Sequence, residues 1–182
     1  MLTRIAVLLL LSLSPFAGRE GDFGFERKEK VSVTAKLSQD GVHAGSYFRA
    51  VLLLTVGKGW HINSASPSDE NLIATSAVFF PPPGLGVTGV EYPRGVAKRF
   101  AFSDSLLDVY EGTVVIMLKI TAATEMHPGA CELPVEISYQ ACNNDVCLAP
   151  ATTKIIIPVR VLAPDVTPTP VNRGLFGGST DQ

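Results

Sequence analysis

Ile137-Ser-Tyr-Gln-Ala-Cys142-Asn-Asn-Asp-Val-Cys147-Leu-Ala-Pro150 contains a strand, a turn and the start of a second strand, with a cysteine at each end of the turn. Apolar and polar residues alternate over residues 133–141, which indicates a strand that runs into Cys142. The Asn-Asn-Asp segment suits a turn, because Asn and Asp tolerate left-handed conformations. Directly opposed strand residues bring their Cβ atoms within about 4.5–5.5 Å. A disulfide can therefore close the mouth of the predicted hairpin.

Strand patterns also account for most of the remaining chain. Apolar alternation or β-rich runs predict strands over 31–37, 47–56, 74–80, 87–92, 109–121 and 152–162, with Pro158 marking an edge strand or a bulge. Residues 94–108 are predicted to be a loop, as are residues 126–131, and Trp60 is predicted to anchor the core between two sheets. Seven to nine strands at this spacing, without helical periodicity, predict an all-β, immunoglobulin-like antiparallel β-sandwich.

The two ends of the chain differ in composition from this β-rich region. Arg4, an apolar run over residues 5–13 and small residues up to Gly18 are typical of a secretory signal peptide over residues 1–18. Residues 19–30 are interpreted as a flexible lead-in, residues 31–162 as the β-sandwich domain, and residues 163–182 as a disordered Pro/Gly-rich tail or linker. We therefore expect an exported protein, periplasmic or extracellular, that is soluble after cleavage of the signal peptide.

Charge and motifs exclude several classes of function. The net charge of −2 argues against nucleic acid as a partner. The three histidines lack the spacing of metal ligands, and no phosphate-binding loop or dinucleotide fingerprint is present, so neither a metal nor a small-molecule cofactor is expected. His61 follows Trp60 and can line a site, although a structural role is the favoured interpretation. Cys131 is predicted to be a free thiol of little catalytic importance.

Two interpretations of the cysteine pair are compatible with the residues alone. In an exported β domain a close pair is usually a structural staple, which would suit a non-catalytic immunoglobulin-like binding module. A short closed loop stabilises a fold only slightly in the chain-entropy model, which weakens that interpretation. Redox exchange instead requires an accessible sulfur.

A family resemblance favours redox exchange. Tyr139-Gln-Ala-Cys142, the short polar loop, Cys147 and Pro150 resemble the cysteine motif of the N-terminal domain of the thiol:disulfide interchange protein DsbD. The segments 59–63 and 109–112 support the resemblance, which covers roughly residues 30–162.

The resemblance implies an immunoglobulin-like fold and unequal roles for the two cysteines. Cys142 and Cys147 would form a couple that cycles between dithiol and disulfide. Cys147 would make the mixed disulfide with a partner, and Cys142 would resolve it. An aromatic loop would cap the disulfide, and Phe100 and Phe102 occupy the corresponding interval. Tyr139 and Gln140 would be motif neighbours of the cysteines.

The resemblance also implies the class of partner. The activity would be that of a protein-disulfide reductase-type electron-transfer domain, supplied by a thioredoxin-like or membrane-embedded electron donor. Its clients would be exported thiol–disulfide proteins, such as isomerases and the thioredoxins of cytochrome c maturation. The best-known members have a slightly longer gap between the cysteines and continue into membrane-spanning and thioredoxin-like domains. We therefore expect a separate protein to reduce this chain, with an accessory domain of a larger reductase as a further interpretation.

Overall fold

The computed structural model describes residues 30–69, 71–100 and 103–176, which form an antiparallel β structure. The all-β, immunoglobulin-like sandwich predicted from the sequence is confirmed. The strands are β1 Val31–Leu37, β2 Tyr47–Val56, β3 His61–Asn63, β4 Ser76–Phe79, β5 Leu85–Glu91, β6 Val96–Lys98, β7 Leu107–Tyr110, β8 Thr113–Ala122, β9 Gly129–Tyr139, β10 Ala141–Cys142 and β11 Ala151–Val161, and a short helix, α1, spans Arg173–Phe176.

Three antiparallel sheets share one hydrophobic core. Their strand orders are β1-β2-β8-β5, β11-β9-β4 and β10-β3-β7-β6. Strict alternation along β8 buries every second side chain from Val114 to Ala122, which is the period-2 pattern of a strand with one face in a core. A single cluster combines fully buried residues of each sheet, among them Leu52, Ile137 and Ile62. Each such aliphatic side chain contributes about 1.5–3 kcal/mol through burial, so the three sheets depend on one another.

The segment predicted as one strand over 109–121 consists of two strands. β7 ends at Tyr110 and β8 begins at Thr113, and the two strands belong to different sheets. Gly112 lies between them with φ of 62°, a left-handed conformation that a side chain with a Cβ adopts only at a cost. The apolar pattern continues through this break, which is why the sequence alone suggests a continuous strand.

Other predicted boundaries differ by smaller amounts. The region expected to be a loop over 94–108 contains β6, and β9 begins at Gly129, inside the loop predicted for 126–131. Pro158 lies in β11, the outer strand of its sheet, as the missing N–H group of proline requires. Trp60 is only partly buried and packs at the margin of the core, so the prediction of a central anchor is wrong.

The segment after β11 departs from the prediction of a disordered tail or linker. The N–H groups of Val171 and Asp40 donate to the carbonyl oxygens of Ser38 and Thr169, at 2.9 and 3.0 Å. The last described residues form α1, in which Phe176 is buried. The prediction is therefore wrong for residues 163–176, because backbone pairing and burial of an aromatic ring hold them against the sandwich. Residues 177–182 lie outside the described residues.

The predicted signal peptide and residues 19–29 of the lead-in also lie outside the described residues. Within the described part of the chain, no helix has the length and apolar character needed to cross a membrane.

Candidate functional site

Cys142 and Cys147 form a disulfide, with an S–S distance of 2.02 Å. The two residues also pair as an isolated antiparallel bridge, so the predicted hairpin mouth is closed at this position. After this bridge β11 begins at Ala151, one residue before the predicted start of the last strand. The structure thus brings together the two cysteines that the sequence singles out.

The two cysteines differ strongly in exposure. Cys142 belongs to β10, which pairs with β3, and it is only 2% exposed. Cys147 lies on the other arm of the hairpin and is exposed. Cys147 is therefore the cysteine that is more accessible from solvent.

The loop between the cysteines is held by hydrogen bonds that centre on Asn143. Its side-chain Oδ1 accepts from the N–H groups of Asp145 and Val146, at 2.8 Å each. Its own N–H donates to the carbonyl oxygen of Val146 at 2.9 Å. This is the turn chemistry expected of an Asn at this position, and it fixes the loop that carries Cys147.

The two motif neighbours have structural contacts on either side of the disulfide. Tyr139 is buried in the hydrophobic core, and its hydroxyl lies 3.3 Å from Oγ1 of Thr153. Gln140 donates from Nε2 to the carbonyl oxygen of Leu148 at 3.1 Å, just beyond Cys147. Tyr139 therefore anchors the hairpin to the core, and Gln140 ties the two arms of the hairpin together.

Phe100 is linked to the cysteine pair through His61, the strand partner of Cys142. β3 places His61 directly opposite Cys142 in the strand register. The ring of Phe100 stacks on the imidazole of His61, with centroids 4.2 Å apart and an interplanar angle of 24°. Both residues are buried. Phe102, the other predicted cap residue, lies outside the described residues.

Burial changes the protonation behaviour of His61. Loss of water around the imidazole lowers the pKa of His61 below its ordinary value of 6.5; the negative charge of Glu111 opposes this effect, and the positive charge of Lys98 adds to it. The structure therefore favours the neutral imidazole, the form that fits a stack inside a hydrophobic environment. Sequence reasoning favoured a purely structural histidine, and only its place after Trp60 pointed to a site.

A cleft of about 680 Å³ lies beside the disulfide loop. Trp60, His61 and Phe100 form part of its wall, and Asn144 reaches it from the loop between the cysteines. Lys98 and Glu111 form an ion pair in the same wall. This cleft could not be predicted from the sequence, because its residues come from four separate segments of the chain.

Cys131 lies apart from the disulfide as a free thiol, as predicted. It sits on β9 opposite Val159, and partial burial raises the pKa of its thiol, which reduces the thiolate fraction. Within the ranges that the structure describes, no three His, Cys, Asp or Glu side chains gather in a way that can hold a metal ion.

These features define an immunoglobulin-like β-sandwich that carries one exposed and one buried cysteine in a hairpin disulfide. Residues 29–158 match the family described as "Thiol:disulfide interchange protein DsbD, N-terminal", and the chain belongs to this family. Family membership and the Cys142–Cys147 disulfide together support thiol–disulfide exchange as the general activity, with thiol–disulfide proteins as the general class of partner.

Solved structures that are similar to the chain include two N-terminal domains. The N-terminal domain of DsbD from Neisseria meningitidis, in its reduced form, shares 16% identity with a TM-score of 0.44, over 71% of this chain and 90% of that one. The N-terminal periplasmic domain of ScsB from Proteus mirabilis shares 16% identity with a TM-score of 0.48. That match covers 72% of this chain but only 46% of the ScsB chain. No curated protein sequence matches the chain.

The lowered pKa of His61 predicts a pH-dependent stability. The unfolded chain protonates His61 near its ordinary pKa of 6.5, whereas the folded chain protonates it at lower pH. The contribution of His61 to the free energy of unfolding is therefore greatest above pH 6.5. It is lost as the pH drops below that value through the folded-state pKa. The change His61→Phe keeps a ring for stacking and removes the ionisable group.

We expect the melting temperature of the unaltered protein to fall more between about pH 7.5 and about pH 5 than that of His61→Phe. Circular dichroism at both pH values measures this difference. The exposed His127 offers a matched control, His127→Gln, which should keep the larger pH dependence. Equal pH dependence in the unaltered protein and in His61→Phe would contradict the assigned burial of a neutral imidazole.

Proposed function

We propose that this chain is an exported thiol–disulfide exchange domain that passes electrons through the Cys142–Cys147 couple. The contrast in exposure between the two sulfurs is the observation that carries the proposal. A structural staple gains nothing from one exposed sulfur, whereas exchange needs one sulfur within reach and one protected from competing thiols. Cys147 is accordingly the sulfur that forms the mixed disulfide, and Cys142 is the resolving sulfur.

Reduction of the disulfide by an electron donor proceeds in two balanced steps. A donor thiolate attacks Sγ of Cys147, the Cys142–Cys147 bond breaks, and Cys142 leaves as a thiolate that takes up a proton. A second donor thiolate then attacks the donor sulfur of the mixed disulfide and releases Cys147 as a thiolate. The donor becomes a disulfide, and this chain gains two electrons and one proton, with the proton on Cys142 and Cys147 left as a thiolate.

Transfer to a client uses the same chemistry in the opposite direction. The thiolate of Cys147 attacks the client disulfide, forms a mixed disulfide with one client sulfur and releases the other client sulfur as a thiolate. Cys142 then loses its proton, attacks Sγ of Cys147 and releases the second client thiolate. The client is reduced, and the Cys142–Cys147 disulfide returns.

Phe100 has a protective role in this proposal. Its ring and that of His61 cover the side of the hairpin where Cys142 is buried. Cover on this side directs an incoming thiolate to Cys147 and keeps small thiols away from Cys142. Phe102 is proposed to belong to the same cap loop on the basis of its sequence position alone.

The proposed partners follow from the family. A thioredoxin-like or membrane-embedded protein would donate electrons, and exported thiol–disulfide proteins, including those of cytochrome c maturation, would receive them. The location would be the periplasm or the extracellular space, after removal of residues 1–18 as a signal peptide. The family match supports this arrangement through the general class of partner.

Trapping of mixed disulfides tests the unequal roles of the cysteines. In the variant Cys142→Ser, Cys147 lacks its resolving sulfur, so a thioredoxin-like protein with an intact active-site disulfide should accumulate as a mixed disulfide. The matched variant Cys147→Ser should trap at least about tenfold less, because the thiol left in it is the buried one. Non-reducing electrophoresis and mass spectrometry measure both products.

Equal trapping by the two variants would contradict the assigned roles. The absence of trapping in both variants would instead favour the alternative, a non-catalytic binding module whose disulfide is a staple.

The cap role of Phe100 predicts a change in reactivity. The change Phe100→Ala should speed the reduction of the disulfide by dithiothreitol several-fold, since it removes the ring that stacks on His61. The exposed Leu106 provides a control in the same region, and Leu106→Ala should leave the rate unchanged. An unaltered rate in a folded Phe100→Ala protein would show that this ring does not shield the disulfide.

A further inference from the structure

The cleft beside the disulfide loop is positively charged in a protein whose net charge is −2. Lys58, Lys98 and Arg99 contribute positive charges to its wall, and Glu111 is the acidic residue among its lining side chains. We propose that this cleft binds an acidic segment of the partner protein, next to the partner's reactive cysteine. The inference rests on the proposed exchange function and specifies the kind of partner surface that the site accepts.

Pairing within the cleft leaves two positive charges available. Lys98 forms an ion pair with Glu111, so the negative charge of the acidic lining residue is already neutralised. Arg99 donates to the backbone oxygen of Asp104 at 3.3 Å, a contact that leaves its charge unneutralised. Neither Lys58 nor Arg99 forms an ion pair with another described residue, and both are exposed. Two accessible cations in the same cleft are therefore available to bind carboxylates of a partner.

Charged residues outside the cleft wall alter this balance. Lys30 lies over the ring of Trp60, with Nζ 4.9 Å from the centroid, and so adds a positive charge near the cleft wall. Two exposed acids oppose it: Asp104, whose backbone oxygen accepts from Arg99, and Asp145 in the disulfide loop. The balance remains positive by one charge, because Lys30, Lys58 and Arg99 outnumber Asp104 and Asp145.

The position of the cleft connects this charge to the reacting sulfur. Asn144 lines the cleft and belongs to the loop that ends in Cys147. His61 lines it as well, and in the strand register it faces Cys142. A chain segment seated in the cleft therefore runs alongside the loop, and a cysteine adjacent to that segment comes within reach of Cys147.

The chemistry of the wall suits Asp and Glu side chains on an extended segment. The guanidinium of Arg99 can bind a carboxylate with two parallel hydrogen bonds, and Lys58 adds a point charge. The partly buried ring of Trp60 offers an apolar surface for the methylene groups of such side chains. A volume of about 680 Å³ falls within the range of pockets that hold small ligands or a few residues of a peptide. Charge attraction of this kind raises the rate of encounter and weakens with salt.

Reduction of the disulfide by designed peptides tests the inference. Three reduced peptides of equal length would each carry one cysteine, flanked by Asp and Glu, by Lys and Arg, or by Ser and Gln. Mass spectrometry measures the rate at which each peptide thiolate forms a mixed disulfide with the unaltered protein, with dithiothreitol as an uncharged reference. Rates are compared per thiolate, because acidic neighbours raise the pKa of the peptide thiol.

We expect the acidic peptide to react about tenfold faster than the basic one at low ionic strength, with the advantage largely lost near 1 M salt. The double variant Lys58→Glu with Arg99→Glu should invert the preference. A matched double variant outside the cleft, Lys36→Glu with Arg173→Glu, changes the net charge equally and should keep the preference for the acidic peptide, since both residues are exposed elsewhere on the sandwich.

Failure of the inference is distinguishable from failure of the proposed function. Equal rates for the acidic and basic peptides, with normal reduction by dithiothreitol, would overturn the cleft assignment and leave the exchange function intact. Equal peptide preferences in the two double variants would likewise overturn the cleft assignment and leave the exchange function intact. Resistance of the disulfide to all three peptides and to dithiothreitol would overturn both.

Discussion

The pairing of β10 with β3 is the constraint on which the candidate site depends. This short pairing sets Cys142 opposite His61 and buries the sulfur of Cys142, whereas Cys147 remains on the open arm of the hairpin. The unequal exposure of the two sulfurs follows from this placement. The rest of the sandwich serves as a rigid base for it, because β3 also pairs with β7, and Ile62 of β3 is fully buried in the common core.

One end of the sandwich therefore brings together three features that the proposed function uses. They are the hairpin disulfide, the stack of Phe100 on His61, and the charged cleft beside the disulfide loop. The break at Gly112 contributes to this arrangement, because it separates β7 from β8 and brings Glu111 to the cleft beside Lys98. Electron exchange between proteins needs all three properties: a reachable sulfur, a protected sulfur and a means of orienting the partner.

Local patterns predicted much of the fold, and long-range contacts explain what they missed. The bounds of β1 and β2 follow from alternation and from the turns beside them, and the cysteine hairpin follows from its own turn residues. The strand predicted over 109–121 is interrupted at Gly112, which has a positive φ. An apolar pattern alone does not show where the chain passes from one sheet to another. The segment 163–176 was misjudged because its contacts are with residues far away in the sequence. For the same reason the sequence identified Cys142 and Cys147 but not which cysteine is buried, nor that Phe100 stacks on His61, the strand partner of Cys142.

The central claim is that the Cys142–Cys147 pair is a working redox couple, and its reduction potential tests that claim most directly. Equilibration of the purified protein with glutathione or dithiothreitol buffers, followed by thiol alkylation and mass spectrometry, gives the potential. The account predicts a value within the range of thioredoxin-like exchange proteins, between about −300 and about −120 mV. A value well below about −300 mV would identify a structural disulfide and contradict the account.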